Sequence, residues 1–430
     1  MRPGGRASAA IEILNDITDR HRPAAEALKD WGKSHRFAGT SDRAAIGNLV
    51  YDALRQHASL SHAMGEGASR ALVLAVLRWR WGMSVDGIAE LCHEPHGPGA
   101  LTDGERAGLE NPRNGEAPAW VKGDYPEWLD PSFARAFGEG RSQQGAALAL
   151  RAPVDLRVNT LKVSPEKVLQ LFEKFHAVKG RFASACIRLP PPPAAGRNPN
   201  VEAEPAHGRG WFEVQDEGSQ IASSLTGARP GEQCADICAG AGGKTLALAA
   251  LMENKGQIHA YDADRHRLRP IFERMQRAGA RNIQVIPSDA PQRLQELEGK
   301  MDMVLIDAPC SGSGAWRRKP DAKWRLKPQA LQTRLAEQHR LLAQGAGLVR
   351  PGGRMVYVTC SVLPEENSEQ VETFLHLHPA FTAAPYADVW QKNLPSAPPE
   401  SADASSRTLL LTPLDHATDG FFISAMVKNK

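Results

Sequence analysis

Five short apolar stretches in the second half of the chain constrain its fold most: ADICAG (235–240), GQIHAYDAD (256–264), NIQVIPSDA (282–290), MDMVLIDAPC (301–310) and GGRMVYVTCS (352–361). Each ends in small, polar or acidic residues, and helical patterns such as LALAALMEN (246–254) and RHRLRPIFERMQRAG (265–279) lie between them. Strands alternating with helices predict an α/β domain, a mostly parallel sheet covered by helices on both faces. In such folds ligands bind beyond the carboxyl ends of the strands. The chemistry is therefore expected at the residues that terminate them. RTLLLTP (407–413) and DGFFISAMVKN (419–429) read as an antiparallel pair closing the sheet edge, and residues 391–405, rich in Ser, Ala and Pro, as a mobile connection.

Two further textures precede this domain. From about residue 5 to 145, apolar positions recur at intervals of three and four, as in AIEILNDI (10–17), AAIGNLVYDALRQ (44–56) and RALVLAVLRWRWG (70–82). Gly32, Gly39, Gly65 and Gly82 divide the region into short helices, and His93 to Gly123 reads as a loose loop or linker. VDLRVNTLK (154–162) then alternates like a strand, SPEKVLQLFEKF (164–175) like a helix capped by Ser164, and CIRLP (186–190) like a second strand. Pro190 to Gly210 is expected to be a flexible excursion. The predicted domains are 1–145, all helical; 146–212, a small α+β unit; and 213–430, the α/β domain.

DICAGAGGKT (236–245) carries a strand into a glycine turn and an alanine-rich helix. It matches neither a dinucleotide fingerprint nor a phosphate-binding loop. Asp262 ends the next strand roughly 20 residues after Gly242, where a carboxylate can take both hydroxyls of a ribose. Asp289 ends the third and could orient an adenine edge. With Cys238, Ala239, Gly240, Ala241, Gly242, Gly243 and Lys244 these residues describe an adenosine pocket that has no grip for pyrophosphate, which favours S-adenosylmethionine (SAM) over a dinucleotide.

Cys310, after Asp307-Ala-Pro, and Cys360, in Thr-Cys-Ser, terminate two different strands that open on the same sheet edge, so the two thiols can share one cleft. Either alone reads as a buried small hydrophobe. Two thiols beside a SAM site fit methylation of carbon 5 of cytosine: a thiolate added to carbon 6 turns carbon 5 into a nucleophile, and the adduct must then be resolved. Asp307 can hydrogen-bond or protonate the ring as charge develops. The residues themselves leave open which thiol attacks.

On DLRVNT (155–160), QDEGSQ (215–220), DICAGAGGKT, AYDAD (260–264), DAPCSGSG (307–314), RRKPDAKW (317–324), TCSVLPEEN (359–367) and TDGFF (418–422), the chain resembles the RsmB/NOL/NSUN family of RNA cytosine-5 methyltransferases, most closely the bacterial RsmB-type ribosomal RNA enzymes. The resemblance implies a Rossmann-like class I SAM-dependent methyltransferase domain, a small RNA-recognition-like α+β unit and an N-terminal NusB-like helical domain that binds RNA. It makes Cys360 the nucleophile and Cys310 the group that assists release, and gives residues 239–245, Asp262, Asp289 and Asp307 to the cofactor or base. Ala241 stands where the family usually has proline, and a change in loop stiffness is expected.

RRKPDAKWRLK (317–327) interleaves basic residues with a tryptophan, which suits phosphate contact and base stacking by Arg317, Arg318, Lys323 and Trp324. Arg157, Asn159, Asp216 and Gln220 are the other candidate RNA contacts, with structural roles, including helix capping by Asp216, as the alternative. Arg22, Lys29, Lys33, His35 and Arg36 are expected on one basic face of the helical region. The net charge of +3 neither demands nor excludes nucleic acid, so these local clusters carry the argument.

Six scattered cysteines without a CxxC pair argue against a disulfide scaffold and a metal site. With no signal peptide and no apolar run of membrane length, a cytoplasmic protein is expected. The partner expected is small-subunit 16S ribosomal RNA, with no protein partner required and a monomer sufficient. Two other readings stay open: a transfer RNA cytosine-5 methyltransferase, and a catalytically inert RNA-binding ribosome-assembly factor.

Overall fold

The computed structural model describes residues 1–113 and 115–430. Asn114, in the stretch expected to be a loose linker, lies outside the described residues. The rest of that stretch is more ordered than expected, because Thr102 and Glu105 form a reciprocal capping box that starts a helix at Asp103–Glu110. No helix among the described residues is long and apolar enough to cross a membrane.

The chain forms two compact units. One comprises Met1–Ala152 with two later segments, Pro191–Asn198 and Trp316–Leu326. It is helical, and the apolar stripes of Pro3–Arg20, Thr40–Arg55 and Ser69–Ala75 bury Ile13, Leu14, Ile46, Leu49 and Val73 in one core. The expected basic face is partly neutralised there, since Arg22 pairs with Asp16 and Asp30, and Lys33 with Asp30.

The other unit holds both sheets. β1 (Val154–Val158), β2 (Val178–Lys179), β3 (Cys186–Leu189) and β4 (Phe212–Val214) form a small sheet in the order β2-β3-β1-β4. All its pairings are antiparallel. β2 is too short to show a pattern in the sequence. β4 pairs with β1, so the predicted boundary at 212/213 cuts through a strand. The excursion from Pro190 to Gly210 also contains structure, a 3-10 turn at Val201–Ala203 and a helical turn at Pro205–Gly208, whose Val201 and Ala206 pack into this sheet's core.

The large sheet contains β5 (Gln233–Asp236), β6 (Gln257–Ala260), β7 (Ile283–Val285), β8 (Met301–Asp307), β9 (Val349–Thr359), β10 (Phe381–Ala384), β11 (Leu409–Leu411) and β12 (Phe421–Lys428). Its order is β10-β12-β9-β8-β5-β6-β7, with β11 paired to β12. β5 to β9 are the five predicted strands, and every pairing among them is parallel. β11 and β12 pair antiparallel, as expected, and β12 is antiparallel to β9, but the edge is closed by β10, which the sequence reading omitted. The connection at 391–405 is fastened by bonds from Trp390 Nε1 to Ser396 O (2.8 Å), Tyr386 Oη to Pro399 O (2.8 Å) and Leu410 N to Ser401 Oγ (2.8 Å). Strand order reverses between β5 and β8, and a crevice at such a switch point is where α/β sheets bind ligands.

Candidate active site

The glycine turn after β5 is shaped by what packs beneath it. Gly242 has φ +84°, and a Cβ there would lie 2.6 Å from Ile271 Cγ1. Only glycine combines that backbone conformation with that approach. Gly240 N donates to Asp262 Oδ2 (2.9 Å), and Asp264 N to Asp262 Oδ1 (2.9 Å), so the carboxylate ending β6 fixes the turn with one lone pair on each oxygen. Its remaining lone pairs can accept ribose hydroxyls. Ser288 Oγ donates to Asp262 O (2.7 Å), tying the β7 loop to the same point, while Asp289 itself is exposed.

Cys238 and Ala239 are buried, and burial pushes the Cys238 thiol far above its ordinary range, which marks it as packing and not as a reactive group. Asp236 was not singled out in the sequence. It accepts Thr245 Oγ1 (2.7 Å), and burial raises its carboxyl to about 7.

Lys244 Nζ reaches Asp307 Oδ2 (2.7 Å) and lies 5.2 Å from the centre of the Phe421 ring. β8 and β9 deliver Cys310 and Cys360 with sulfurs 3.4 Å apart, close enough for one thiol to donate to the other and too far for a disulfide. The hydrogen bond from Cys310 holds the Cys360 thiol below the usual thiol range. Burial and Asp307 act against that lowering, and Lys244 assists it. The bond to Cys360 and burial push Cys310 well above the usual range. Both shifts favour ionisation of Cys360 over Cys310.

The loop after Cys310 is held by a residue that sequence reasoning missed. Glu366 is 0% exposed, accepts Ser311 N (2.7 Å), Ser311 Oγ and Gln338 Nε2 (3.1 Å), and its carboxyl is raised by burial. Gln338 also donates to Pro309 O (2.9 Å). The only sequence signal for Glu366 was its place in TCSVLPEEN. Gly314 N donates to Cys360 O (2.9 Å), and Gly420 N to Gly314 O (2.9 Å), which joins the DAPCSGSG and TDGFF segments backbone to backbone. A Cβ on Gly314 would meet Gly420 O at 2.1 Å. Gly314→Ala is expected to lower stability by about 1–3 kcal/mol, read as a fall in thermal midpoint, and to lower activity.

The expected RNA contacts fare differently. Lys323 is 1% exposed, donates to Arg55 O (2.8 Å), and burial depresses its ammonium to about 8. Trp324 donates Nε1 to Leu54 O (2.6 Å) and packs on the helical core, and Arg317 is buried. The alternation that reads as a strand-binding segment is a short helix, Pro320–Arg325, that turns Lys323 and Trp324 inward. Arg318 is half-buried, and Lys319, Arg325 and Lys327 are exposed.

Asn159 is likewise structural: its amide donates to Gly210 O (2.9 Å) and Ala278 O (2.8 Å). Arg157 is 8% exposed and faces Glu213 across the β1–β4 pair. Asp216 caps the helix Glu217–Ser224 through Gly218 N (2.8 Å) and accepts Asp419 N (3.0 Å). Gln220 is buried and donates to Gln215 O (2.9 Å). These contacts give each residue a structural role, although Arg157 Nε and Nη1 and Gln220 Oε1 are buried without a hydrogen-bond partner among the described residues.

The pocket suits SAM. Carboxylates at the ends of β6 and β8, with one lysine already paired, would repel a pyrophosphate and tolerate a cationic sulfonium ligand. Fold and donor set define a SAM-dependent methyltransferase of the Rossmann-like class. Residues 224–427 match the family model 16S rRNA methyltransferase RsmB/F, and residues 125–194 match an RsmF/B-like methyltransferase ferredoxin-like domain. The chain is 33% identical over 308 residues to a probable ribosomal RNA small subunit methyltransferase B of Synechocystis, covering 71% of this chain and 67% of the relative. It is 30% identical over 383 residues to the ribosomal RNA small subunit methyltransferase B of Sodalis glossinidius, covering 88% and 79%. A crystal structure of a methyltransferase homolog protein from Pyrococcus horikoshii superposes with a TM-score of 0.58 at 27% identity, covering 72% of this chain and 97% of that one. The chain belongs to the RsmB/F family of ribosomal RNA methyltransferases.

Proposed function

We propose that this chain methylates carbon 5 of a cytosine in 16S ribosomal RNA through a covalent adduct between Cys360 and carbon 6 of the base. The observation that carries the reading is the thiol pair, 3.4 Å apart beside the Lys244–Asp307 ion pair. A methyltransferase acting on an oxygen or an exocyclic nitrogen needs no thiol, whereas carbon 5 of cytosine must be activated before it can react.

SAM, held by residues 239–245, Asp262 and Asp289, supplies the methyl group at its sulfonium. Cys360 Sγ forms a bond to carbon 6 as the π electrons of the 5,6 double bond move onto carbon 5, which becomes the nucleophile toward the sulfonium methyl, the cofactor sulfur being left as a neutral thioether. Asp307, paired to Lys244 through one oxygen, accepts the exocyclic amine of cytosine through the other, which selects cytosine over uracil with its carbonyl at that position. After methyl transfer the proton on carbon 5 passes to solvent, the C–H electron pair re-forms the 5,6 double bond, and the Sγ–carbon 6 bond breaks with its pair returning to Cys360 Sγ, to which the Cys310 thiol donates a hydrogen bond. Cys310 assists this release. The base must leave its stack to reach these groups.

The region 1–145 serves in this reading as a NusB-like RNA-binding domain, with 146–212 as an RNA-recognition-like unit. Arg318 is retained, and the exposed Lys319, Arg325 and Lys327 take the place of the inward-turned Arg317, Lys323 and Trp324 as RNA contacts.

Bisulfite sequencing of total RNA from cells with and without the intact gene tests the substrate. Loss of one cytosine signal in 16S ribosomal RNA is expected. Loss only in transfer RNA would reassign the substrate, and no loss in any RNA would leave a ribosome-assembly factor without cytosine chemistry.

A further inference from the structure

Nothing in the fold of a glycine turn requires a partner on its outer side, yet here one is present. Arg274, on the helix Ile271–Ala278, donates Nη1 to Ala241 O (2.8 Å). Its Nη2 lies 4.0 Å from where a Cβ of Gly243 would be, at the first residue of the helix Gly243–Leu251. Ile271, at the start of the same helix, packs under Gly242. The turn is therefore gripped below by an aliphatic side chain and at the side by a guanidinium.

Arg274 is itself fixed. Glu213, on the edge strand β4, is buried and accepts Arg274 Nε (3.1 Å) and Nη2 (2.9 Å) on one oxygen. Both of its oxygens also accept Arg277 Nη2 (2.7 and 2.9 Å), and Arg157 faces it from β1. One carboxylate thus binds two guanidiniums and faces a third. Losing one of them leaves Glu213 paired and reduces an excess of positive charge, so the fold does not need Arg274 for charge balance. What Arg274 alone supplies is the bond to Ala241 O.

We propose that Arg274 is a positioning residue of the SAM site, which, anchored by Glu213 of the small sheet, holds the 239–243 turn in its ligand-ready shape. A turn whose bond to a charged donor is removed samples other arrangements, and ligand affinity falls by the fraction of time spent in them. Ala241 makes the brace consequential, since alanine leaves φ free where a proline would restrict it. Arg277 is the internal control. It bonds the same carboxylate from the same helix and does not touch the turn.

The test is titration of the full-length protein with S-adenosylhomocysteine by calorimetry, together with steady-state methylation at varied SAM. Arg274→Ala is expected to weaken ligand binding about tenfold and to raise the KM for SAM in step. kcat at saturating SAM should stay within about twofold. Arg277→Ala should leave both constants unchanged, and Arg274→Lys, which keeps one charged donor, should recover part of the loss. Unchanged affinity in Arg274→Ala, or an equal loss in Arg277→Ala, would overturn the assignment. Equal thermal midpoints for the two alanine variants, with only one weakened in binding, separate the brace from general destabilisation. Ligand binding needs no RNA, so this result stands apart from the choice of cytosine as substrate.

Discussion

Cys360→Ala is expected to lose methyl transfer by a factor of at least about 10^4, the scale on which removal of a covalent nucleophile acts. Cys310→Ala is expected instead to accumulate an enzyme–RNA adduct that survives denaturing electrophoresis. The two thiols lie 3.4 Å apart, yet their surroundings differ. Cys360 receives the hydrogen bond from Cys310 and feels the positive charge of Lys244, while Cys310 is pushed up by the same bond, by burial and by Glu366. In the proposed mechanism a thiolate on Cys360 is accordingly the attacking species, and Cys310 stays protonated for the breakdown of the adduct. The hydrogen bond has a second consequence. Without Cys310, Cys360 loses the donor that lowers it, so adduct formation in Cys310→Ala should be slower near neutral pH and recover as pH rises. The measurement is gel mobility of radiolabelled RNA with each variant and SAM. An adduct that persists in Cys360→Ala and vanishes in Cys310→Ala would exchange the roles.

The sheet was legible because parallel strands buried on both faces read as apolar runs, and because β5 to β9 each end in residues too polar or too small for the interior. The thiols and the candidate cofactor carboxylates stand at those ends, which is why the sequence points to them. Edge strands carry less signal: β2 has two residues, and β10, Phe381–Ala384, has four and follows the helix Ser368–Leu377 after the short turn His378-Pro379-Ala380.

The structural roles of the expected RNA contacts are hidden in the sequence for a different reason. Basic residues near a tryptophan look alike whether they face solvent or a core, and Lys323 and Trp324 are oriented by backbone carbonyls of Arg55 and Leu54, more than 260 residues upstream. Asn159, with Gly210 and Ala278 as its acceptors, is the same case. A bond between distant segments leaves no trace in local spacing. Glu366 and Arg274 were missed likewise, since each acts through a backbone group brought near only by the fold.

Asp307→Asn and Lys244→Met should both be slow, and their pH profiles should move in opposite directions. Asp307 is the candidate partner of the cytosine amine, and losing a group in that role costs about 10^3 in rate. Its charge also opposes the Cys360 thiolate, while that of Lys244 favours it. Removing Asp307's charge therefore lowers the pKa of Cys360, so the thiolate persists to lower pH and the acid limb of kcat/KM shifts down. Removing the charge of Lys244 raises that pKa, and the acid limb shifts up. The ion pair between them, 2.7 Å long, means that each variant also frees the other charge to act on the thiol, which widens the separation. Alkylation of Cys360 by iodoacetamide, followed against pH in the free enzyme, reports the same ionisation without RNA or turnover. Limbs that shift in the same direction, or alkylation profiles that stay fixed while rates fall, would show that this ion pair does not set the charge on the attacking thiol.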